Sequence, residues 1–254
     1  MSKKIIAVSL ALFLIVTCFV ACGKKYETTK INGEEVILVT DKNGDPVIND
    51  KNQVIALVTD RSGEVLTYSD GENQTRYIDI NNALEIKGVA YGAHYKMNVL
   101  DGWSIATGDR LVKDKTDSKC YISFAQTYTL KTNEKFEEVF VETDRSNEDI
   151  QKAFDDEETM KELIKNNPDL AKYEGCKYTI DKQETTFTRK SLPCRKYVHK
   201  IVNAEGAVVH YVMNYYFLAD KTVYSVSYTC IDGVGYDENF DFDTYLKTNF
   251  TFID

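Results

Sequence analysis

Val208-Val209-His210-Tyr211-Val212-Met213-Asn214-Tyr215-Tyr216-Phe217-Leu218 decides the fold. Its alternate residues Val209, Tyr211, Met213, Tyr215 and Phe217 are all apolar or aromatic. A period of two over so long a run marks a strand with one face in a core. The other face mixes Val208, Val212, Tyr216 and Leu218 with His210 and Asn214. The strand is therefore expected to lie centrally, in a sheet covered at least partly on both sides. Ala204-Glu205-Gly206 reads as the turn before it, with the β-rich run Cys194–Val202 on the far side. Ala219-Asp220-Lys221 turns it into Val223–Cys230, whose Tyr224, Val226, Tyr228 and Cys230 form one inward face.

Further strands are expected at Tyr95–Val99, Trp103–Thr107, Lys119–Tyr128, Glu137–Glu142, Tyr178–Thr188 and Phe250–Ile253. Two helices are expected to cover the sheet. Ser146 caps the first, with Asp149 at the capping-box position. Ile150, Ala153, Phe154, Met160, Leu163 and Ile164 make its apolar stripe, and Pro168 marks its end. The second runs from about Asn239 to Lys247 and carries Phe242, Tyr245 and Leu246 on one face. The fold class this predicts is α+β: an antiparallel sheet with helices packed on both faces, forming one domain over residues 75–254.

Two short motifs carry a family resemblance. Tyr95-x-Met97-x-Val99-x-x-Gly102-Trp103 resembles the first strand and Gly-Trp turn of PsbP-like domains. Phe242-Asp243-x-x-Leu246-x-x-x-Phe250-x-Phe252 resembles their closing helix and strand. The chain departs from that family at Leu100, where a proline is common. The resemblance implies an α/β/α sandwich and a role in protein association.

Residues 22–74 have another texture. Val36-Ile37-Leu38-Val39-Thr40-Asp41-Lys42-Asn43-Gly44 recurs as Ile55-Ala56-Leu57-Val58-Thr59-Asp60-Arg61-Ser62-Gly63, nineteen residues on. Each copy is a β-prone run followed by an Asp-x-x-Gly turn, which is hairpin chemistry. Two copies are too few for a self-supporting solenoid, so a flexible spacer with marginal hairpins is expected, similar to the tethers of Gram-positive lipoproteins. Fully extended, such a segment reaches about 165 Å. Asp41, Asn43, Asp45 and Asn49 also occupy positions 1, 3, 5 and 9 of a calcium loop. Position 6 is Pro46 where a glycine is required, and position 12 is Asn52 where a bidentate carboxylate is required, so the turn is preferred.

The N-terminus supplies an address. Lys3 and Lys4 precede the uncharged run Ile5–Val20, as in an export signal. Phe19-Val20-Ala21-Cys22 resembles the bacterial lipobox, with Phe19 at the usual leucine position. That resemblance implies cleavage of the signal peptide 1–21 and lipidation of Cys22 by a diacylglycerol and a palmitate-type acyl chain. Two chains anchor stably where one is marginal. The expected location is extracytoplasmic, with the membrane as one partner. Loss of Lys3 and Lys4 takes the formal charge from −9 to −11. With no basic run, nucleic acid is excluded as a partner.

Cys120, Cys176, Cys194 and Cys230 contain no CxxC pair, so a zinc ribbon is not expected. An even number outside the cell permits two disulfides in any of three connectivities. Cys120 alternates with Ile122 and Phe124, and Cys230 with Tyr228 and Val226, so both point toward the core.

The histidines are His94, His199 and His210. If Glu205-Gly206 is a two-residue turn, His199 lies opposite Val212 and Ile201 opposite His210, which sets the two histidines diagonally on one face. The pair is open to two readings, an acid-base or metal site and two ordinary sheet positions. No third ligand follows by spacing. Asp237, Glu238, Asn239, Asp241 and Asp243 are open to cation binding, or to helix capping by Asp237 or Asn239. Nucleophile elbows, P-loops, G-x-G-x-x-G and H-E-x-x-H are absent. Trp103 and the strand tyrosines read as core. The chain is therefore expected to be a surface lipoprotein, without catalytic residues, cofactor or metal, that binds or scaffolds a cell-envelope protein. The alternative is a solute-binding lipoprotein that serves a transporter.

Overall fold

The computed structural model describes residues 28–80, 84–106, 110–126, 156–165, 168–189, 192–219 and 222–253. These fall into two compact units. One holds residues 28–47 and Val54–Ile78, and the other holds Ile48–Gln53 and residues 79–253. Cys22 and the signal peptide lie outside the described residues, as do the expected strand Glu137–Glu142, the Ser146 cap and Ile150, Ala153 and Phe154.

The first unit is hydrogen-bonded throughout its repeat. It opens with a hairpin of β1 (Thr28–Ile31) and β2 (Glu34–Ile37), turned by Asn32 and Gly33 at positive φ, as an Asn-Gly turn requires. After it, Val47 N donates to Val39 O, Ile55 N to Val47 O, and Val39 N to Ile55 O. Three segments thus close a ring of backbone bonds. Nineteen residues on, the ring recurs through Val58, Leu66 and Gln74. Within each copy the segments are eight residues apart, and successive members of a ring are linked by a turn. Each turn has the same backbone bonds, such as Gly44 N to Asp41 O and Asp41 N to Asp45 O. Its fourth residue (Gly44, Asn52, Gly63 or Gly71) takes positive φ. β3 (Gln53–Leu57) and β4 (Thr75–Asp79) form a further pair.

In the second unit, β5 (Leu84–Ile86) and β6 (Val89–Tyr91) turn through Lys87-Gly88 and continue into β7 (Tyr95–Asn98). Then come β8 (Trp103–Ala106), β9 (Arg110–Lys113) and β10 (Cys120–Gln126). Helix α1 (Glu157–Lys165) and a 3₁₀ helix (Pro168–Tyr173) precede β11 (Lys177–Gln183), the short pair β12 (Thr188–Arg189) and β13 (Leu192–Pro193), and β14 (Arg195–Val202). β15 (Val208–Ala219), β16 (Thr222–Ile231), α2 (Phe242–Asn249) and β17 (Phe250–Phe252) complete the chain. The main sheet has seven antiparallel strands in the order β11-β14-β15-β16-β10-β9-β8, so β15 is interior as its two-sided pattern predicted. A four-stranded sheet, β17-β7-β6-β5, is separate from it.

The β14–β15 hairpin reaches its register by an unexpected route. Asn203 N donates to Ala207 O and Gly206 N to Asn203 O, which makes the loop three residues long, not two. That would shift every later pair by one. A β-bulge between Ile201 and Val202 takes up the extra residue. His199 opposite Val212 and Ile201 opposite His210 are the result, as the shorter turn had implied.

The α/β/α sandwich does not form. Among the described residues the unit is nearly all β, and helices make no layer on either face of the main sheet. Met213, Tyr215, Phe217, Tyr224, Val226, Tyr228, Ile122 and Phe124 fill one face. Against them pack Ala90, Tyr95, Met97 and Phe250 from the four-stranded sheet, with Phe242, Tyr245 and Leu246 from the eight-residue α2. The other face meets Met160 and Ile164 of α1 in a small cluster with Tyr197, Tyr216 and Val223. Its remaining buried positions mix apolar Val212 and Ile201 with polar His199, His210, Asn214, Ser225, Ser227 and Thr229. An apolar stripe specifies a buried face but not the partner. Here the cover from the four-stranded sheet comes from Tyr95, Met97 and Phe250, with Ala90 from Val89–Tyr91, a strand too short to show a period.

Gly206 sits at φ 85° with open space where a Cβ would project. Gly206→Ala is expected to cost about 1–2 kcal/mol from backbone strain alone. Gly206→Asn is expected to cost less, because asparagine tolerates the left-handed region. Urea unfolding of the two variants checks this; equal losses would refute the backbone explanation.

Candidate functional site

Two adjacent strands deliver the histidine pair. His199 on β14 and His210 on β15 place their ring centroids 5.2 Å apart, edge to face. Both are buried, at 3% and 6% exposure. Tyr178 of β11 brings its hydroxyl to 3.4 Å from His199 Nδ1. Tyr173, the last residue of the 3₁₀ helix, brings its own to 3.3 Å from His210 Nδ1. Tyr173 also hydrogen-bonds Asp232. Asp232 is held below the usual carboxylate range, first by the Lys119 ammonium at 3.0 Å and further by Lys172 at 3.9 Å. Hydrogen bonds thus link Asp232, Tyr173 and His210, and a ring contact joins His210 to His199, which pairs with Tyr178.

Each histidine can exchange a hydrogen bond with its tyrosine hydroxyl, but His199 is poorly suited to holding charge. Burial, and then the neighbouring His210, push His199 down to about 3. The Tyr178 hydroxyl is pushed up to about 12 by burial. No group of three metal-ligating side chains occurs among the described residues. His94 belongs elsewhere, stacked on Phe252 and tilted against Tyr224, with Nε2 3.7 Å from Asp50.

The other sequence candidates are absorbed by structure. Asp41 Oδ1 accepts from Asn43 N at 2.8 Å and Asp45 N at 2.9 Å, which is turn chemistry in place of a calcium loop. Asp237 accepts from Asn239 N. The cap of α2 is Asp241, accepting from Thr244 N at 3.0 Å, not Asp237 or Asn239. Asp243 accepts from Lys196 Nζ at 2.7 Å and Thr185 Oγ1 at 2.5 Å. Burial works to raise its carboxyl, and these partners outweigh that and hold it low. This Lys196–Asp243 tie between β14 and α2 had no signal in sequence, because its members are 47 residues apart. Trp103 packs on Phe240 and Tyr228 as a core residue.

A shallow cleft of about 180 Å³ lies among Phe187, Arg189, Phe217, Phe250 and Phe252. The Arg189 guanidinium sits 4.3 Å over the Phe252 ring. Comparison with protein-family models and with curated proteins finds no match for the chain.

His199 generates a pH dependence with a defined sign. Its folded value lies below the 6.5 of an unperturbed histidine, so the unfolded chain takes up the proton first. The stabilisation is complete above about pH 6.5 and is lost as pH falls toward 3, at about 1.4 kcal/mol per pH unit. Unfolding free energies measured from pH 7 to pH 4 are expected to fall more steeply for the natural chain than for His199→Gln. Parallel curves would show that His199 does not titrate this way.

Proposed function

We propose that the chain is a lipoprotein anchored outside the cytoplasm through Cys22, and that its folded part binds a protein of the cell envelope without catalysing a reaction. One observation carries the binding reading. The exposed large hydrophobic side chains of the described residues are Leu66, Tyr68 and Tyr77, at 37%, 56% and 62% exposure. All three belong to the repeat unit. In the second unit the strand tyrosines are buried or half-buried instead. Tyrosine is enriched at protein interfaces because it offers a large rigid ring and a polar tip at low entropic cost. Glu64, Asp70 and Glu72 are exposed in the same stretch, which favours a partner whose rim is cationic.

The histidine pair supports a non-catalytic reading, since its rings are enclosed beneath Tyr173 and Tyr178 and out of a substrate's reach. The Phe-lined cleft favours the second reading, a solute-binding lipoprotein that serves a transporter. At about 180 Å³ it is smaller than the roughly 300–1,000 Å³ usual for small-molecule sites, and a protein partner is the stronger proposal.

Quantitative crosslinking in the native envelope tests both. Tyr68→Ser with Tyr77→Ser is expected to lower the yield of the crosslinked partner at least about tenfold, the loss of two interface anchors, with unfolding unchanged. Undiminished crosslinking, together with a small molecule that co-purifies with the chain, would overturn the protein-binding reading in favour of the solute-binding one.

A further inference from the structure

Cys120 and Cys230 stand directly opposite each other on β10 and β16. Ile231 N donates to Lys119 O at 2.7 Å, so the neighbouring 119/231 pair is the hydrogen-bonded kind. Pairs alternate along an antiparallel ladder, which makes 120/230 a non-hydrogen-bonded pair. In such pairs the Cα atoms are about 4.5 Å apart, and disulfides span roughly 4.4–6.8 Å. The two Sγ atoms are already 3.6 Å apart. Neither side chain must leave its face of the sheet to bond.

We propose that Cys120 and Cys230 become joined by a disulfide when the chain folds in the presence of a low-molecular-weight disulfide. One thiolate of the pair attacks the oxidant, whose S–S bond breaks to release one thiol. The other thiolate attacks the protein sulfur of that mixed disulfide, and the second oxidant thiol leaves. Two electrons pass from the cysteines to the oxidant, and the two thiol protons end on the released thiols. The product is a covalent rung across the main sheet, linking positions 110 residues apart.

The surroundings fix when this happens. Both cysteines are 0% exposed. Gly235 closes over Cys120, where a Cβ would lie 2.9 Å from Sγ and 2.7 Å from the cysteine Cβ. Tyr228 hydroxyl donates to Gly235 O at 3.1 Å and holds that cover down. The oxidant must therefore reach the pair before the 232–236 segment closes. Once formed, the rung is sealed from reductants. Cys194 is buried and Cys176 half-buried; they precede β14 and β11, two and three strands from β16 in the main sheet, and neither enters the pair. The proposal requires neither the lipid anchor nor an envelope partner, so its failure would leave the proposed function standing.

The full-length chain carrying Cys18→Ser and Cys22→Ser, reduced and unfolded, is refolded in mild detergent with or without glutathione disulfide. With the oxidant, the expected product is lighter by two hydrogens and yields a proteolytic peptide linking Cys120 to Cys230. It is expected to resist reductant until denaturant is added. Its melting temperature should exceed that of the chain refolded without oxidant by on the order of 10 °C. Cys230→Ala should show no difference between the two conditions. The proposal is overturned if both thiols alkylate after oxidative refolding and denaturation, or if the link found is to Cys176 or Cys194.

Discussion

Asn203 Oδ1 accepts a hydrogen bond from Ala207 N at 2.8 Å, and Gly206 takes the left-handed conformation one residue earlier. This small loop, with the bulge beside it, sets which face every residue of β14 and β15 occupies. Side chains alternate along a strand, so a slip of one residue would move Tyr211, Met213, Tyr215 and Phe217 out of the core and bring His210 and Asn214 into it. The three-residue loop alone produces such a slip relative to a two-residue turn. The bulge at Ile201/Val202 reverses it. Loop and bulge are one device, and the aromatic core is its consequence.

Once the register is set, the two faces diverge chemically. One takes the aromatic set that meets β6, β7, β17 and α2. The other is buried and partly polar, and several of its groups are paired: Ser227 Oγ donates to Asn214 Oδ1 at 2.5 Å, and the two histidines pair with Tyr173 and Tyr178. A buried polar face of this sort tolerates little alternative packing, since each unpartnered group would cost its full desolvation. The histidines thus add specificity to the sheet.

What the sequence revealed followed its periods. The long alternation in Val208–Leu218 was legible, and so were the central place of that strand and the diagonal placement of His199 and His210. The expected helical layers were wrong, because amphipathic stripes report that a face is buried and are silent about its cover. Strands of three residues such as Leu84–Ile86 have no period to read. The Lys196–Asp243 tie depends on tertiary proximity alone. In the repeat the nineteen-residue offset was visible, but the eight-residue subdivision was not. Its turns share a backbone pattern while their sequences drift from Asp41-Lys42-Asn43-Gly44 to Asn49-Asp50-Lys51-Asn52 and Tyr68-Ser69-Asp70-Gly71.

That drift has a direction. In three of these turns the first residue is Asp41, Asn49 or Asp60, and its side-chain oxygen accepts two backbone N–H groups. At the equivalent position in the fourth turn stands Tyr68, which cannot accept in that way, and only Asp70 offers one such bond, to Glu72 N. The backbone keeps its shape, with Gly71 still at positive φ. A residue that gives up local turn chemistry and is left exposed gains nothing for the fold from the exchange. Departures of this kind concentrate where a surface serves something outside the chain. Leu66, one ring position after Val58, departs in the same sense, as a larger and more exposed residue than Val47 at the matching place in the first copy. The two copies share one scaffold, and the second has exchanged part of its self-sufficiency for an apolar, aromatic surface of the kind the proposed envelope partner would use.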